Sequence, residues 1–107
     1  MKIIIRRAVT GDLDFLEKLE KSCFPLFQQS SRRIIRYSLL STVQEVIIAE
    51  IRDGDQNKPV GSATLYIYQK TLRIFSIAVL PEFQGKGVGK KIMQHIIEFC
   101  SHKNLRQ

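Results

Sequence analysis

The stretch Ile74-Phe75-Ser76-Ile77-Ala78-Val79-Leu80-Pro81-Glu82-Phe83-Gln84-Gly85-Lys86-Gly87-Val88-Gly89-Lys90-Lys91 runs from an apolar strand through a glycine-rich, basic turn into an amphipathic helix. Such a junction builds an anion site. Glycines at alternate positions let the backbone come close to a ligand, and the helix start offers unpaired N–H groups and the positive end of its dipole. A phosphorylated cofactor is the natural guest.

Spacing separates the glycine loops that could be meant. A P-loop, G-x-x-x-x-G-K-[ST], would need glycine where Gln84 stands and a hydroxyl where Lys91 stands. A dinucleotide fingerprint needs G-x-G-x-x-G and an acid about 20 positions later. Here Lys90 occupies the sixth position, and the chain reaches Gln107 before such an acid. The run does read Q-x-x-G-x-G, as Gln84-Gly85-Lys86-Gly87-Val88-Gly89. A tight strand-to-helix turn without ligand would use the same glycines. With the preceding Ile77-Ala78-Val79-Leu80-Pro81-Glu82-Phe83, the segment resembles the acetyl-CoA loop of the GNAT superfamily of N-acetyltransferases. The opening Ile4-Ile5-Arg6-Arg7-Ala8-Val9-Thr10-Gly11-Asp12-Leu13-Asp14, with Leu19-Glu20-Lys21-Ser22-Cys23-Phe24-Pro25, resembles that superfamily's first strand and helix, most closely in the ribosomal-protein N-terminal alanine acetyltransferase branch.

The rest of the chain reads in a compatible order, as a single domain over residues 1–107. Isoleucine-rich Lys2 to Ala8 suits a strand. Thr10 can cap a helix over Asp12 to Cys23, whose Leu13, Leu16, Leu19 and Cys23 recur at near-helical spacing before Pro25. Ser30 or Ser31 can cap a second helix reaching Leu40. Glu45 to Ile51 reads as a strand, 52–59 as a polar turn and Val60 to Tyr68 as a strand. Gln69-Lys70-Thr71 then leads into a strand over Leu72 to Val79. The last helix spans Gly87 to His102, with Val88, Ile92, Ile96 and Phe99 joined by Met93, Ile97 and Cys100 in one apolar stripe. The expected fold is α+β: a mixed, mostly antiparallel four-stranded sheet with three helices, three-layered and GNAT-like.

Composition sets bounds. With 44% hydrophobic and 25% charged residues the chain is an ordinary globular sequence. No apolar run approaches the roughly 20 residues that span a bilayer, and no signal-peptide pattern opens the chain, so a cytoplasmic location is expected. Cys23, Cys100, His95 and His102 lack any close metal-ligand pair, so no metal is expected, and the two cysteines read as thiols rather than a disulfide. Cys100, on the apolar side of the last helix, reads as core before nucleophile. The net charge of +7 is concentrated in Lys86, Lys90, Lys91, Lys103 and Arg106 and in Arg32, Arg33 and Arg36. These can meet anions or simply solvate helix faces. No interleaved aromatics accompany them, which argues against nucleic acid, and the arginine helix is too short to argue for a membrane surface.

The resemblance implies more. Main-chain groups of Ile77, Ala78 and Val79 would pair with the pantetheine arm of acetyl-CoA, and backbone N–H groups over Gln84, Gly85, Lys86, Gly87, Val88, Gly89 and Lys90 would hold its pyrophosphate. A strand N–H near Val79 would stabilise the oxyanion. The acceptor would be a primary amine of a protein N-terminus, a lysine or a small molecule; a catalytically inactive acyl-CoA-binding or regulatory module is the alternative. Phe27 and Tyr37 would border the acceptor cleft, or pack as core or lid. In the family the chain continues into a fifth strand, a fourth helix and a hairpin that often carry the catalytic acid and base. This sequence stops at Gln107, so no catalytic residue is assigned: Glu82 reads as a turn residue, and Tyr66 and Tyr68 as packing residues. An uncovered last strand, presenting main-chain groups at Ile74, Ser76 and Ala78, would invite a homodimer by edge pairing.

Overall fold

Val46, Ile47, Ile48 and Ala49 are consecutive and all buried, so the strand that carries them is covered on both faces. A computed structural model, which describes residues 2–106, shows what covers it. Strands β1 (Lys2–Arg7), β2 (Gln44–Asp53), β3 (Gln56–Tyr68) and β4 (Thr71–Val79) form one sheet in that order, every neighbouring pair antiparallel. Helices α1 (Leu13–Cys23) and α2 (Arg32–Leu40) cover one face, and α3 (Val88–Lys103) the other. On the α3 side Ile47, Ala49, Ala63, Leu65 and Leu72 meet Val88, Ile92, Ile96 and Cys100; on the opposite side Val46 and Ile48 meet Leu13, Leu16 and Ile35. The expected three-layer α+β arrangement is therefore what forms. Among the described residues a parallel bridge joins Thr71 and Arg106, where Leu72 N–H donates to the Arg106 carbonyl and Arg106 N–H to that of Lys70, each at 2.8 Å or less.

Several local expectations are corrected. Thr10 does not cap a helix at Asp12; it opens a 3-10 turn (Thr10–Asp12) that leads into α1, with Asp12 at the N-cap position of α1 and its carboxylate reaching back to accept the Val9 N–H at 2.8 Å at the head of the turn. The same carboxylate takes both terminal nitrogens of Arg6, at 2.9 and 2.7 Å, while Arg6 Nε reaches Glu50 at 3.2 Å. One guanidinium thus neutralises two buried acids and pins the start of α1 to β1 and β2. Ser31, rather than Ser30, caps α2 by accepting the Ile34 N–H at 3.3 Å. The polar run 52–59 is not a long turn: β2 and β3 extend through it, and only Gly54, at φ +63°, and Asp55 connect Asp53 to Gln56. Polar side chains there belong to an exposed hairpin tip, where they do not interrupt pairing. The second hairpin is likewise shorter than expected, because Thr71 already pairs with Tyr68.

Candidate functional site

Leu72 and Ile77 lie five positions apart on β4 yet both pack toward α3, which an uninterrupted strand alternating face by face would forbid. The register explains it. Thr64 faces Ser76 and Leu65 faces Ile74, so Phe75 is an extra residue opposite no partner, a β-bulge that reverses the facing of everything after it. Ser76 and Ala78 consequently turn to the α1 side, and Ile77 and Val79 to α3. A second bulge lies between the pairs Ala49–Gly61 and Glu50–Pro59, leaving Val60 extra. The Val60 carbonyl accepts the Leu80 N–H at 2.8 Å, which carries β3–β4 contact past the end of β4. Gly61 is required beside it: a Cβ there would sit 2.9 Å from the Ala78 carbonyl oxygen.

That last distance also fixes which backbone groups are open. The Ala78 carbonyl faces β3, so its neighbours Ile77 and Val79 direct theirs away from the sheet. The expected open groups at Ser76 and Ala78 are thus turned inward, and along this half of β4 the open edge belongs to Ile77 and Val79. The Val79 carbonyl accepts the Cys23 thiol at 3.2 Å and the Gln84 side-chain amide at 3.0 Å. Its N–H points to the same outer side. Burial pushes the Cys23 thiol pKa up, the hydrogen bond to Val79 opposing it, so this cysteine sits as a neutral donor.

Beyond Leu80 a 3-10 turn (Pro81–Phe83) is held by the Phe83 ring, which packs on the core beneath Lys58 at 5.2 Å. The chain then turns through Gly85 at φ +77° and Gly87 at φ +88°, values that favour glycine. The first hydrogen bond of α3 runs from Lys91 N–H to the Gly87 carbonyl at 3.0 Å, so the N–H groups of Val88, Gly89 and Lys90 have no acceptor within the helix. Val88 anchors this turn by burying its side chain, while Gly85, Lys86, Gly87 and Lys90 are exposed. A Cβ at Gly85, Gly87 or Gly89 would meet nothing within 4 Å. The space in front of the turn is open, and its free donors are main-chain amides flanked by Lys86 and Lys90. These amides and lysines could hold an anion.

The other wall is a cavity of about 130 Å³ between α1, α2 and the strands β2, β3 and β4, beneath the bulge. Leu16, Leu19, Ile35, Val46 and Ala78 supply its apolar lining, with Ser62, Thr64, Ser76 and Glu20 as polar groups. Glu20 is the carboxylate in this lining; its Oε2 accepts the Ser30 N–H at 3.2 Å. Sequence reasoning passed over both Glu20 and Phe75. The signal for Glu20 was present: it stands one turn after Leu16 on the buried side of α1. Phe27 is 84% exposed and does not line the cavity, whereas Tyr37, 68% exposed, borders its mouth; neither packs as core. Tyr66 and Tyr68 are also exposed rather than packed, and Tyr66 lines the cavity. Glu82 is exposed and outside it. Arg32 leaves the basic cluster, bound to Asp14 at 2.8 Å and Glu17 at 3.3 Å, and its pKa is raised chiefly by the Asp14 hydrogen bond.

Residues 13–107 match the model of the acetyltransferase (GNAT) family. An uncharacterised N-acetyltransferase of Archaeoglobus fulgidus is 27% identical over 94% of this chain and 75% of its own length. Among solved structures, the ribosomal-protein-S18-alanine N-acetyltransferase of Escherichia coli superposes with a TM-score of 0.82 at 19% identity, over 95% of this chain and 61% of that one. The PaiA N-acetyltransferase of Thermoplasma acidophilum, solved in complex with coenzyme A, gives 0.82 at 15% identity, over 98% and 76%. The chain therefore spans about three-fifths of the length of the Escherichia coli protein.

Proposed function

The chain belongs to the GNAT acetyltransferase family, and from that premise we propose that it binds acetyl-CoA along β4 and the start of α3 and transfers the acetyl group to a primary amine, working in the cytoplasm. The observation that carries this reading is a convergence. The outward N–H of Val79 and the free amides of Val88, Gly89 and Lys90 lie on successive stretches of one chain, joined by a turn with open space before it. A thioester with a pantetheine arm and a diphosphate matches that order of donors.

Acyl transfer needs the donor held, the amine neutral and the oxyanion stabilised. First-turn amides of α3 bind the diphosphate, aided by the helix dipole and by Lys86 and Lys90. The open groups of Ile77 align the arm as an added strand would. Val79 N–H is the donor suited to the tetrahedral oxyanion, and loss of one such donor typically costs about 10²–10³ in rate. An α-amine near pKa 8 needs little deprotonation, whereas a lysine near 10.4 has to surrender about three pH units of protonation at neutrality. With Glu20 as the carboxylate of the cavity, already accepting Ser30 N–H, the site suits the more readily deprotonated amine.

The test is a calorimetric titration of acetyl-CoA into the wild type, Gly87→Glu and Gly87→Asn. Saturable binding is expected in the wild type and none in the Glu variant, which sets a carboxylate among the phosphate donors. Asparagine tolerates a positive φ and controls for backbone strain. Equal heats in all three proteins overturn the placement. Binding without release of free CoA thiol in the presence of amines would favour the acyl-CoA-binding module.

A further inference from the structure

Three arginines near the helices and β1 are matched by acids: Arg6 by Asp12 and Glu50, Arg7 by Glu45, and Arg32 by Asp14 and Glu17. Arg33 and Arg73 are not, since neither takes part in an ion pair among the described residues, and both are exposed. Each belongs to a hollow beside the cavity, Arg33 on α2 and Arg73 on β4. Arg33 shares a surface hollow with Ile34 and Tyr37, which also line the cavity; Arg73, paired across the sheet with Tyr66, shares another with Tyr66 and Phe75, which line it as well. The cleft is therefore graded in charge. A carboxylate, Glu20, lies inside, near Leu19 and Ala78; guanidinium groups lie outside, set among Tyr37, Tyr66 and Phe75, which are 68%, 42% and 70% exposed.

We propose that the acceptor is the amino terminus of an acidic peptide segment. This rests on the acetyl-transfer reading and specifies its substrate. The ammonium enters toward Glu20 and the thioester end of β4, and carboxylates a few residues further along meet Arg33 and Arg73. Strand geometry sets the spacing: Arg73 pairs with Tyr66 and Ala78 with Ser62, so with the bulge at Phe75 the two lie four rungs apart, about 13 Å along the strand at ~3.3 Å per residue. An extended peptide covers that span in about four residues, and the reach of an arginine side chain shortens it to two or three. The exposed rings supply apolar body contact between the two charged ends, as rigid aromatic anchors do in other recognition surfaces. A basic peptide in the same orientation would face like charges at both hollows.

The experiment measures fluorescence anisotropy of peptides labelled at the carboxyl end, with the protein held in saturating CoA so that no reaction occurs. The peptides are Ala-Ala-Asp-Glu-Phe, Ala-Ala-Lys-Arg-Phe, and the first one N-acetylated. Two exposed ion pairs correspond to a preference of about tenfold for the acidic peptide, and N-acetylation should weaken its binding. Arg33→Glu and Arg73→Glu should each abolish or reverse the preference, and Arg33→Gln should weaken it. Arg36→Glu, at a residue that lines neither the cavity nor either hollow, should leave it unchanged. Equal binding of the two free peptides overturns the inference, as does an equal effect of Arg36→Glu. So does tighter binding of a single-stranded RNA with the same arginine dependence. Calorimetric titration of CoA into the same variants keeps the two readings apart. A peptide preference without CoA binding sinks the donor site alone, and CoA binding without the preference sinks this inference alone.

Discussion

Gly89 separates a glycine kept for a ligand from one kept for a turn. Gly85 and Gly87 adopt positive φ, so the turn alone would select them. Gly89 does not: it lies inside the first turn of α3 with nothing within 4 Å of a built Cβ. Replacing glycine by alanine within a helix stabilises by about 0.5–1 kcal/mol. In a domain of this size that is a rise of roughly 2–8 °C in Tm. The same methyl group would stand among the free amides of Val88, Gly89 and Lys90. Holding a phosphate off one such donor removes a charge-assisted hydrogen bond of about 1.5–3 kcal/mol, a weakening of roughly 10- to 100-fold. Gly89→Ala should therefore melt higher and bind acetyl-CoA worse, by circular dichroism without ligand and by calorimetry with it. Gly87→Ala, forced to φ +88°, should lose about 1–2 kcal/mol instead. A Gly89→Ala protein with raised Tm and an unchanged dissociation constant would refute close approach of the diphosphate to this amide. A lowered Tm would refute the helical geometry itself.

Gly61→Ala places a methyl 2.9 Å from the Ala78 carbonyl oxygen, so β3 and β4 must part; a loss of about 1–3 kcal/mol in urea unfolding is expected, and an unchanged midpoint would show that the strands already stand further apart. Stability should also fall in acid through Asp12, whose pKa lies below its ordinary 3.8 chiefly because Arg6 hydrogen-bonds its charged form. The unfolded chain takes up that proton first, so the contribution is complete above the ordinary value and is lost as pH falls through the lower folded value. Urea unfolding from pH 7 down to pH 2 should show that loss in the wild type and much less of it in Asp12→Asn; parallel curves would remove Asp12 from the account.

The order of strands and helices was legible because it depends on side-chain character that repeats: the leucines of α1, the apolar stripe of α3 and the isoleucine runs of the strands. The turn was legible for a related reason, since Gly85 and Gly87 sit where the backbone takes positive φ. Boundaries were less so. Polar residues 52–59 and Thr71 read as turns although strand pairing continues through them, because an exposed hairpin buries little and its residue types say little about pairing. The Arg6–Asp12–Glu50 knot was invisible, since Glu50 is distant in sequence from the Arg6 that binds it.

The bulges show why the site itself was harder to read than the fold. Up to Ile74 the sequence alternates in one phase and from Ser76 in the other, and the slip at Phe75 is marked by no glycine or proline, only by one large apolar residue too many. Missing that slip assigns the open edge to Ser76 and Ala78; including it assigns the edge to Ile77 and Val79, and turns Ala78 into the cavity with Glu20. On the proposed reading, donor recognition along β4 would be set by register, a property of two strands together, and acceptor recognition by which side chains the same register turns toward α1. One inserted residue governs both walls, so deleting Phe75 should disturb donor and acceptor binding together, whereas the arginine variants should alter peptide binding alone.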